Sequence, residues 1–543
     1  MKLFYDKMMP LKKTIVVVIF FSIFSTLFLS GCLLQDLIFG TSFTINSWSL
    51  SNSDGFPAVS YNYTSSGLVT VKMYNTTSSI ADSDIFIRGD GEKTLLLGSY
   101  METLPSGEYV LKAFDKDGNK VFSKTFKFDG FGVDVFSCDQ RWWVNGNTKI
   151  LLGLRVGLRN TGDVPVYPHS IELKTDSETI SGLVLPECVL PGDIVYVDCV
   201  LYKNGQPKDD DFTLILRDIN GLFLTSNVFS FDVSNSVTTR YFSEGVDKKL
   251  SVPYPDFLLS YYSNLDRITD EDYSYYVFDP YDDYYLDVFL DRLISTIPFG
   301  EKKFDTYSDP EKINFVSRVV QYLEYRDDIE YSNVSEYPNY PIETLFNDKI
   351  GCDCEDKAIL TASLLDRLGY NVALIRLPNH MAVGVNLSDD AVPHYSYYTD
   401  GYYYLETTME ESPVGFIPSQ YNVLLDVKVY PISSRPYVRH TWVNNVFTIF
   451  TRMDTGDFVK LDAIVENDGR ATAHNVRVEG AFVTVSNFTV YSKDYVISSL
   501  EPGKKQKVTL TVSIPQTVLT TFKSRVYLGG KVVDFKESSE PFP

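Results

Sequence analysis

Apolar and polar residues alternate over much of the chain, in short runs separated by turn residues. Gly67–Tyr74, Glu108–Phe114 and Val121–Phe128 all read this way. A two-residue period turns one side of each run inward and the other outward, which predicts half-buried strands. Glu108–Phe114 passes through Asp115-Lys116-Asp117-Gly118-Asn119 into Val121–Phe128, so these two runs predict a hairpin. The same spacing recurs in Leu152–Leu158 and Ile194–Leu201, then in Phe458–Val465 and Lys507–Pro515. The pattern predicts three β-sandwiches, over 42–130, 131–235 and 436–543.

The period changes between 236 and 435. Ser308-Asp309-Pro310-Glu311 reads as a capping box with Pro in the first turn, followed by Ile313, Val316, Val320 and Leu323 on one helical face. A second helical pattern carries Ala358, Ile359, Ala362, Leu365 and Leu368 and stops at Gly369. Asn371–Leu377 and Met381–Leu387 then read as strands. Asp256–Phe289 is dense in Tyr and Asp, which suits either an aromatic groove for an extended substrate or ordinary packing; packing is favoured.

Composition narrows the class. The chain has 543 residues, too many for one core, and implies several domains. Its 38 Tyr and 36 Phe favour strands. A net charge of −22 excludes a nucleic-acid partner, because phosphate binding needs basic surface.

At the N-terminus, Lys12-Lys13 precede the apolar run Thr14–Leu29, which is short for a membrane span and fits a signal-peptide core. It ends Leu29-Ser30-Gly31-Cys32, which resembles a lipobox. That resemblance implies a lipoprotein-type signal peptide over 1–31, lipidation of Cys32 and a linker over 32–41. An uncleaved signal anchor is the alternative, and both place the chain at the membrane, outside the cytoplasm. In that compartment Cys188 and Cys199, which flank a turn, are candidates for a disulfide; buried thiols are the alternative.

The chemistry concentrates at Gly351-Cys352-Asp353-Cys354-Glu355-Asp356. Cys354 stands at a predicted helix N-terminus, where the helix dipole favours a thiolate, and His380 opens a strand beyond it. A thiol and an imidazole are the minimum for nucleophilic acyl transfer. Cys352 and Cys354 lack further zinc-type ligands apart from His394, so no metal and no cofactor is expected.

The stretch Pro341–Val385 resembles the transglutaminase-like superfamily, through G-x-C-x-D heading a helix, L-L-x-x-L-G-Y ending it, and a strand-borne His. The family's third residue is usually Asp; here Tyr402-Tyr403-Tyr404-Leu405-Glu406-Thr407-Thr408 offers Glu406. The resemblance implies an α+β, papain-like domain over 236–435, flanked by immunoglobulin-like β-sandwiches. It implies Cys354 as nucleophile, His380 as acid–base and Glu406 as the residue orienting His380. The expected function is an extracytoplasmic cysteine acyl-transfer enzyme, a peptidase or a transamidase acting on a protein or envelope peptide. The alternative is a non-catalytic surface binding or adhesion protein.

Overall fold

The computed structural model describes residues 40–542, apart from 76–81, 87–88, 146, 203–208, 234–237, 244–248, 270, 299, 348–350, 389–396, 422–426, 433–434, 444–447, 453–455, 516–517 and 540. The signal-peptide reading of 1–31, Cys32 and His394 lie outside the described residues. Among the described residues, no helix is long and apolar enough to cross a membrane.

The chain divides into two compact units. The first runs to Gly132 and takes in Asn160–Val166 and Leu190–Gly192. It holds a three-stranded sheet ordered Phe43–Ser53, Phe56–Ser65, Gly89–Leu96. A four-stranded sheet is ordered Asp82–Phe86, Val69–Asn75, Gly107–Asp115, Lys120–Phe128. Alternation explains how each strand buries one side. Val69, Val71 and Met73 are buried while Thr70 and Lys72 between them are only half-buried. They join Phe43, Tyr61, Leu95, Leu111 and Phe126 in one core.

The second unit begins with a single seven-stranded sheet in place of two facing sheets. Its order is Phe223–Ser230, Asp211–Arg217, Ser170–Lys174, Thr179–Val184, Ile194–Leu201, Thr148–Asn160, Val133–Asn145. The sheet curls until its two edge strands meet. Asn227 Nδ2 donates to the Val135 carbonyl (3.0 Å), and Gln140 Nε2 donates to the Ser230 carbonyl (2.8 Å). Gln140 Oε1 in turn accepts from Trp142 Nε1 (3.0 Å) and the Asp232 amide (3.0 Å), so the buried Gln140 amide is matched on both its ends.

Leu152, Leu183 and Val200 of that sheet share a core with the helices that follow. Those helices are Asp256–Ser263, Ser274–Phe278, Asp283–Ile294, Asp309–Gln321, Pro341–Phe346 and Cys354–Arg367. They pack with a five-stranded antiparallel sheet ordered Tyr398–Thr399, Tyr402–Leu405, His380–Val385, Val372–Leu377, Lys428–Pro431. The Tyr-rich stretch is packing: Tyr262, Tyr276 and Tyr285 are fully buried, and the Tyr285 hydroxyl reaches the Leu152 carbonyl at 2.5 Å. The capping box at Ser308 closes, with its amide donating to Glu311 Oε2 at 2.6 Å.

Thr238–Ser243 and Lys249–Tyr254 pair as a two-stranded antiparallel sheet, and the strands from Val438 onward form two four-stranded sheets around one core of Val459, Val478, Phe482, Leu510 and Phe522. Strands account for 49% of the structure and helices for 15%. The expected α+β class is therefore corrected: this is a β-rich, multidomain, many-sheeted fold. The reason is one of proportion. The helical period is confined to the short helices between Asp256 and Arg367, while the alternating period governs the rest.

The turn between helices Ser274–Phe278 and Asp283–Ile294 buries a group of carboxyls. Burial pushes Asp279 and Asp283 up to about 6, and Asp468, beside Glu466, is also pushed up to about 6. Burial and the charges of Asp279 and Asp283 raise Asp282 well above its ordinary range, and one of its oxygens has no hydrogen-bond partner. Folding thus favours the protonated forms. Their stabilisation is fully present below the unfolded value near 4 and is lost as pH rises to about 6. Urea midpoints should fall between pH 4.5 and 6.5, and Asp279→Asn with Asp282→Asn should flatten that fall by on the order of 1–3 kcal/mol. A slope unchanged by both substitutions would refute this account.

Candidate functional site

The cysteine helix begins where two loops converge. Gly351 lies so close to Arg326 that an added Cβ would meet the Arg326 side chain at 2.3 Å. That approach lets Cys352 bridge to Tyr325 and its carbonyl accept from the Arg326 amide at 3.1 Å. Asp353 caps the helix in a capping box with Asp356, whose Oδ2 accepts from the Asp353 amide at 3.2 Å. Asp356 is completely buried and also accepts from the Asn339 amide and Asn339 Nδ2, both at 2.7 Å. Cys354 is thereby fixed in the first turn.

A hairpin presents His380. Leu377 and His380 are paired across the two-residue turn Pro378-Asn379, with Asn379 at φ 58°, a left-handed conformation that Asn tolerates. The cysteine helix packs against this strand, and the Met381 amide, next to His380, hydrogen-bonds the Cys354 sulfur. His380 is buried, with its Nε2 3.1 Å from Glu406 Oε2.

Glu406 follows the strand Tyr402–Leu405 and is 1% exposed. Its Oε1 accepts from the amides of Thr407 (3.0 Å) and Thr408 (2.8 Å) and from Thr408 Oγ1 (2.6 Å). Its Oε2 accepts from the Tyr404 hydroxyl at 2.8 Å. Burial works to raise its pKa, but the His380 bond and charge and the Thr408 donors outweigh it and hold Glu406 at about 2. Behind this row, Gln321 Nε2 donates to the carbonyls of Glu406 (2.8 Å) and Ser412 (2.9 Å). Lys357, a buried lysine one turn beyond Cys354, donates to the carbonyls of Gln321 (3.2 Å) and Leu323 (2.7 Å).

Cys354, His380 and Glu406 are therefore neighbours. The thiol, however, is not tuned as its helix position suggests. Burial, then the charges of Glu355 and Asp353, push its pKa far up, and the Met381 amide only partly opposes them. Its Sγ is 3.2 Å from Glu355 Oε2. Burial raises Glu355 to about 7 and Asp353 to about 10. Sequence reasoning counted the helix dipole and missed the two carboxyls that flank the cysteine in the chain itself. It also missed Tyr325, whose ring lies close enough to feel the charge of Cys354.

Two groups of ligand atoms lie close enough together for one cation, Asp353 with Cys354 and Glu355, and Asp328 with Asp353 and Asp356. The proposed Cys188–Cys199 disulfide is corrected: both are unbridged thiols. Cys199 is wholly buried on its strand, opposite Leu154 and Val184, while Cys188 hydrogen-bonds Tyr167. Cys352 is likewise unbridged, its sulfur 3.2 Å from the Glu324 carbonyl.

A second constellation had no sequence signal. His440 Nδ1 lies 2.6 Å from Asp534 Oδ2, and its Nε2 lies 2.6 Å from Ser524 Oγ. The bonding order is that of a Ser-His-Asp triad. Ser524 is fully buried, however, and its oxygen also accepts from Trp442 Nε1 at 2.7 Å. No substrate reaches that oxygen, so the relay ties two sheets together.

No protein-family model matches the chain, and no curated protein matches it. Solved structures resemble it only distantly. Red sea bream transglutaminase is 12% identical over 72% of this chain and 80% of its own, with a TM-score of 0.17. A tetra-tandem repeat from the extending region of a large adhesion protein is 11% identical over 92% of this chain and 98% of its own, with a TM-score of 0.15. A β-glucuronidase of glycoside hydrolase family 2 is 11% identical over 32% of this chain, with a TM-score of 0.17. The chain spans 21% of that glucuronidase. Likenesses this weak carry no argument about the site.

The Glu355 carboxyl gives a direct test of the thiol's electrostatics. An ionised Glu355 disfavours the thiolate, and it ionises near pH 7. Glu355→Gln should leave alkylation of Cys354 by iodoacetamide little changed below pH 6.5 and speed it about three- to tenfold at pH 8. Slower alkylation at pH 8 would contradict this reading.

Proposed function

We propose that the chain is a membrane-anchored, extracytoplasmic cysteine acyl-transfer enzyme of the transglutaminase-like kind, acting on an amide in a protein or peptide. The observation that carries the proposal is the row Cys354, His380, Glu406, with Nε2 of His380 bound to Glu406 and the Cys354 sulfur against the neighbouring Met381 amide. The lipobox-like Leu29-Ser30-Gly31-Cys32 supports the location and lipidation at Cys32.

In this reading the substrate carbonyl meets Cys354 Sγ. The S–H proton passes to His380 Nδ1, because Nε2 is held by Glu406. Glu406, ionised throughout the neutral range, offsets the imidazolium charge. The Cys354 amide, in the first turn of its helix, serves the developing oxyanion. His380 returns the proton to the leaving amine, and a thioester remains. Water or a second amine resolves it, and hydrolysis is the preferred course. The high resting pKa of the thiol means that proton transfer accompanies attack, rather than preceding it as a standing thiolate–imidazolium pair.

A non-catalytic binding module is the second reading, and the burial that, with the neighbouring carboxyls, holds Cys354 protonated favours it. Alkylation separates the two. With the full chain reduced and mass-mapped after iodoacetamide, Cys354 should label at pH 7 at least tenfold faster than in His380→Ala. Glu406→Gln should fall between them. Equal labelling with and without His380 would exclude the enzyme and leave the binding module.

A further inference from the structure

We propose that Tyr421 is a positioning residue that holds the His380 imidazole in register with Cys354 and stabilises the positive charge the ring takes up as Cys354 attacks. The inference rests on the thiol–imidazole reading above. The rings of His380 and Tyr421 are stacked, with centroids 4.4 Å apart and planes 2° from parallel. Glu406 fixes one edge of the imidazole through Nε2 at 3.1 Å. A single edge bond leaves the ring free to twist about that bond. A parallel face contact removes the twist, so Nδ1 stays in one plane.

Tyr421 is itself well placed. Its amide donates to the Pro418 carbonyl at 2.9 Å, closing a turn. Its ring packs against the cluster of Ile375, Leu377, Ala382 and Tyr404. Those residues come from three neighbouring strands of the sheet that carries His380 and leads to Glu406. The stack is thus built on the sheet that orients the imidazole.

The electronic effect follows from the proton inventory. When Cys354 attacks, the S–H bond breaks, an N–H bond forms at Nδ1, and the electron pair stays with sulfur to make the S–C bond. The imidazole gains a positive charge at that moment. An aromatic face within about 6 Å attracts such a charge, most strongly in a desolvated site. The charged and titratable groups around His380 are Glu406 and Tyr404 on its sheet, Tyr421 on its face, and Cys354 with Glu355 and Asp353 at the helix start. Lys357 lies behind Glu406. Of these, Glu355 opposes the thiolate once it ionises near pH 7, Asp353 stays protonated to about pH 10, and Tyr421 with Glu406 supports the imidazolium. Tyr421 thereby offsets part of the penalty that burial and the Glu355 charge impose.

The test is the pH profile of iodoacetamide alkylation at Cys354, in the full chain, from pH 5 to 9. The variants are Tyr421→Leu, Tyr421→Phe and His380→Ala. Tyr421→Leu should slow labelling about tenfold near neutrality and move the acid limb of the profile downward, because the imidazole then gives up its proton at lower pH. Tyr421→Phe, which keeps the ring face, should restore both the rate and the limb. A Leu variant with the wild-type rate and profile would overturn the proposal. So would a Phe variant as slow as Leu, because the face would then not be what matters. Should the Leu variant fail to fold, by loss of its thermal transition, the Phe variant still decides. If His380→Ala labels like wild type, the functional reading itself falls, and the role of Tyr421 falls with it.

Discussion

The buried carboxylate of Asp356 is the constraint on which the centre of the molecule depends. A carboxylate without water is costly unless donors surround it. Here the Asn339 amide, Asn339 Nδ2 and the Asp353 amide supply them. Burial and the nearby Asp353 raise its pKa, so its ionisation is not favoured by the site as a whole. What the group does is fix geometry. It ties the loop before Pro341–Phe346 to the first turn of the cysteine helix, and it leaves Cys354 one allowed position. Removing either partner would leave a buried polar group unmatched, at roughly 1–3 kcal/mol.

From that fixed start the helix propagates order to the rest of the row. One turn on, Lys357 donates to the carbonyl of Gln321, the last residue of the helix Asp309–Gln321, and to that of Leu323 just beyond it. Gln321 then spans to the carbonyls of Glu406 and Ser412. Three segments distant in the chain are thus joined through polar groups that are buried and matched. Such a network specifies one arrangement rather than adding much net stability. It explains why Cys354 and His380 sit on a helix and a sheet, with loops supplying only the supports.

The parts of this arrangement that were legible in the sequence are those with a local signature. The Ser308 capping box, the Cys354 helix, and the hairpin that delivers His380 each follow from residues within a few positions of one another. Glu406 was legible because a strand and two threonines frame it. The curled seven-stranded sheet was not, since its closure rests on Gln140 and Asn227 reaching across about 90 residues. The class was misread because a strong motif in one segment outweighed a weaker, longer alternation elsewhere. The sign of the thiol's perturbation was missed for a different reason. The dipole of a helix is implied by its position, but the direction in which Glu355 and Asp353 point is set by packing. Tyr421 and the His440 relay carry no sequence signal, because each depends on a ring or hydroxyl arriving from another strand.

The presence of Glu rather than the shorter Asp at 406 is best understood through its two oxygens. A longer side chain has more rotamers to lose, and a loose carboxylate orients an imidazole poorly. In this site one oxygen is held by two amides and a hydroxyl, all from the next two residues. The other oxygen is left for Tyr404 and His380. The local backbone turn therefore consumes the extra freedom, and the added methylene supplies reach without mobility. The His380 bond and the Thr408 donors hold the carboxyl at about 2, so its charge persists across the neutral range. Substituting Asp would shorten the reach while the Thr408 donors stayed where they are. The carboxyl would then satisfy the turn or the imidazole, but not both. The pairing of Glu406 with Thr407-Thr408 is on this argument a matched unit, and neither half is interchangeable alone.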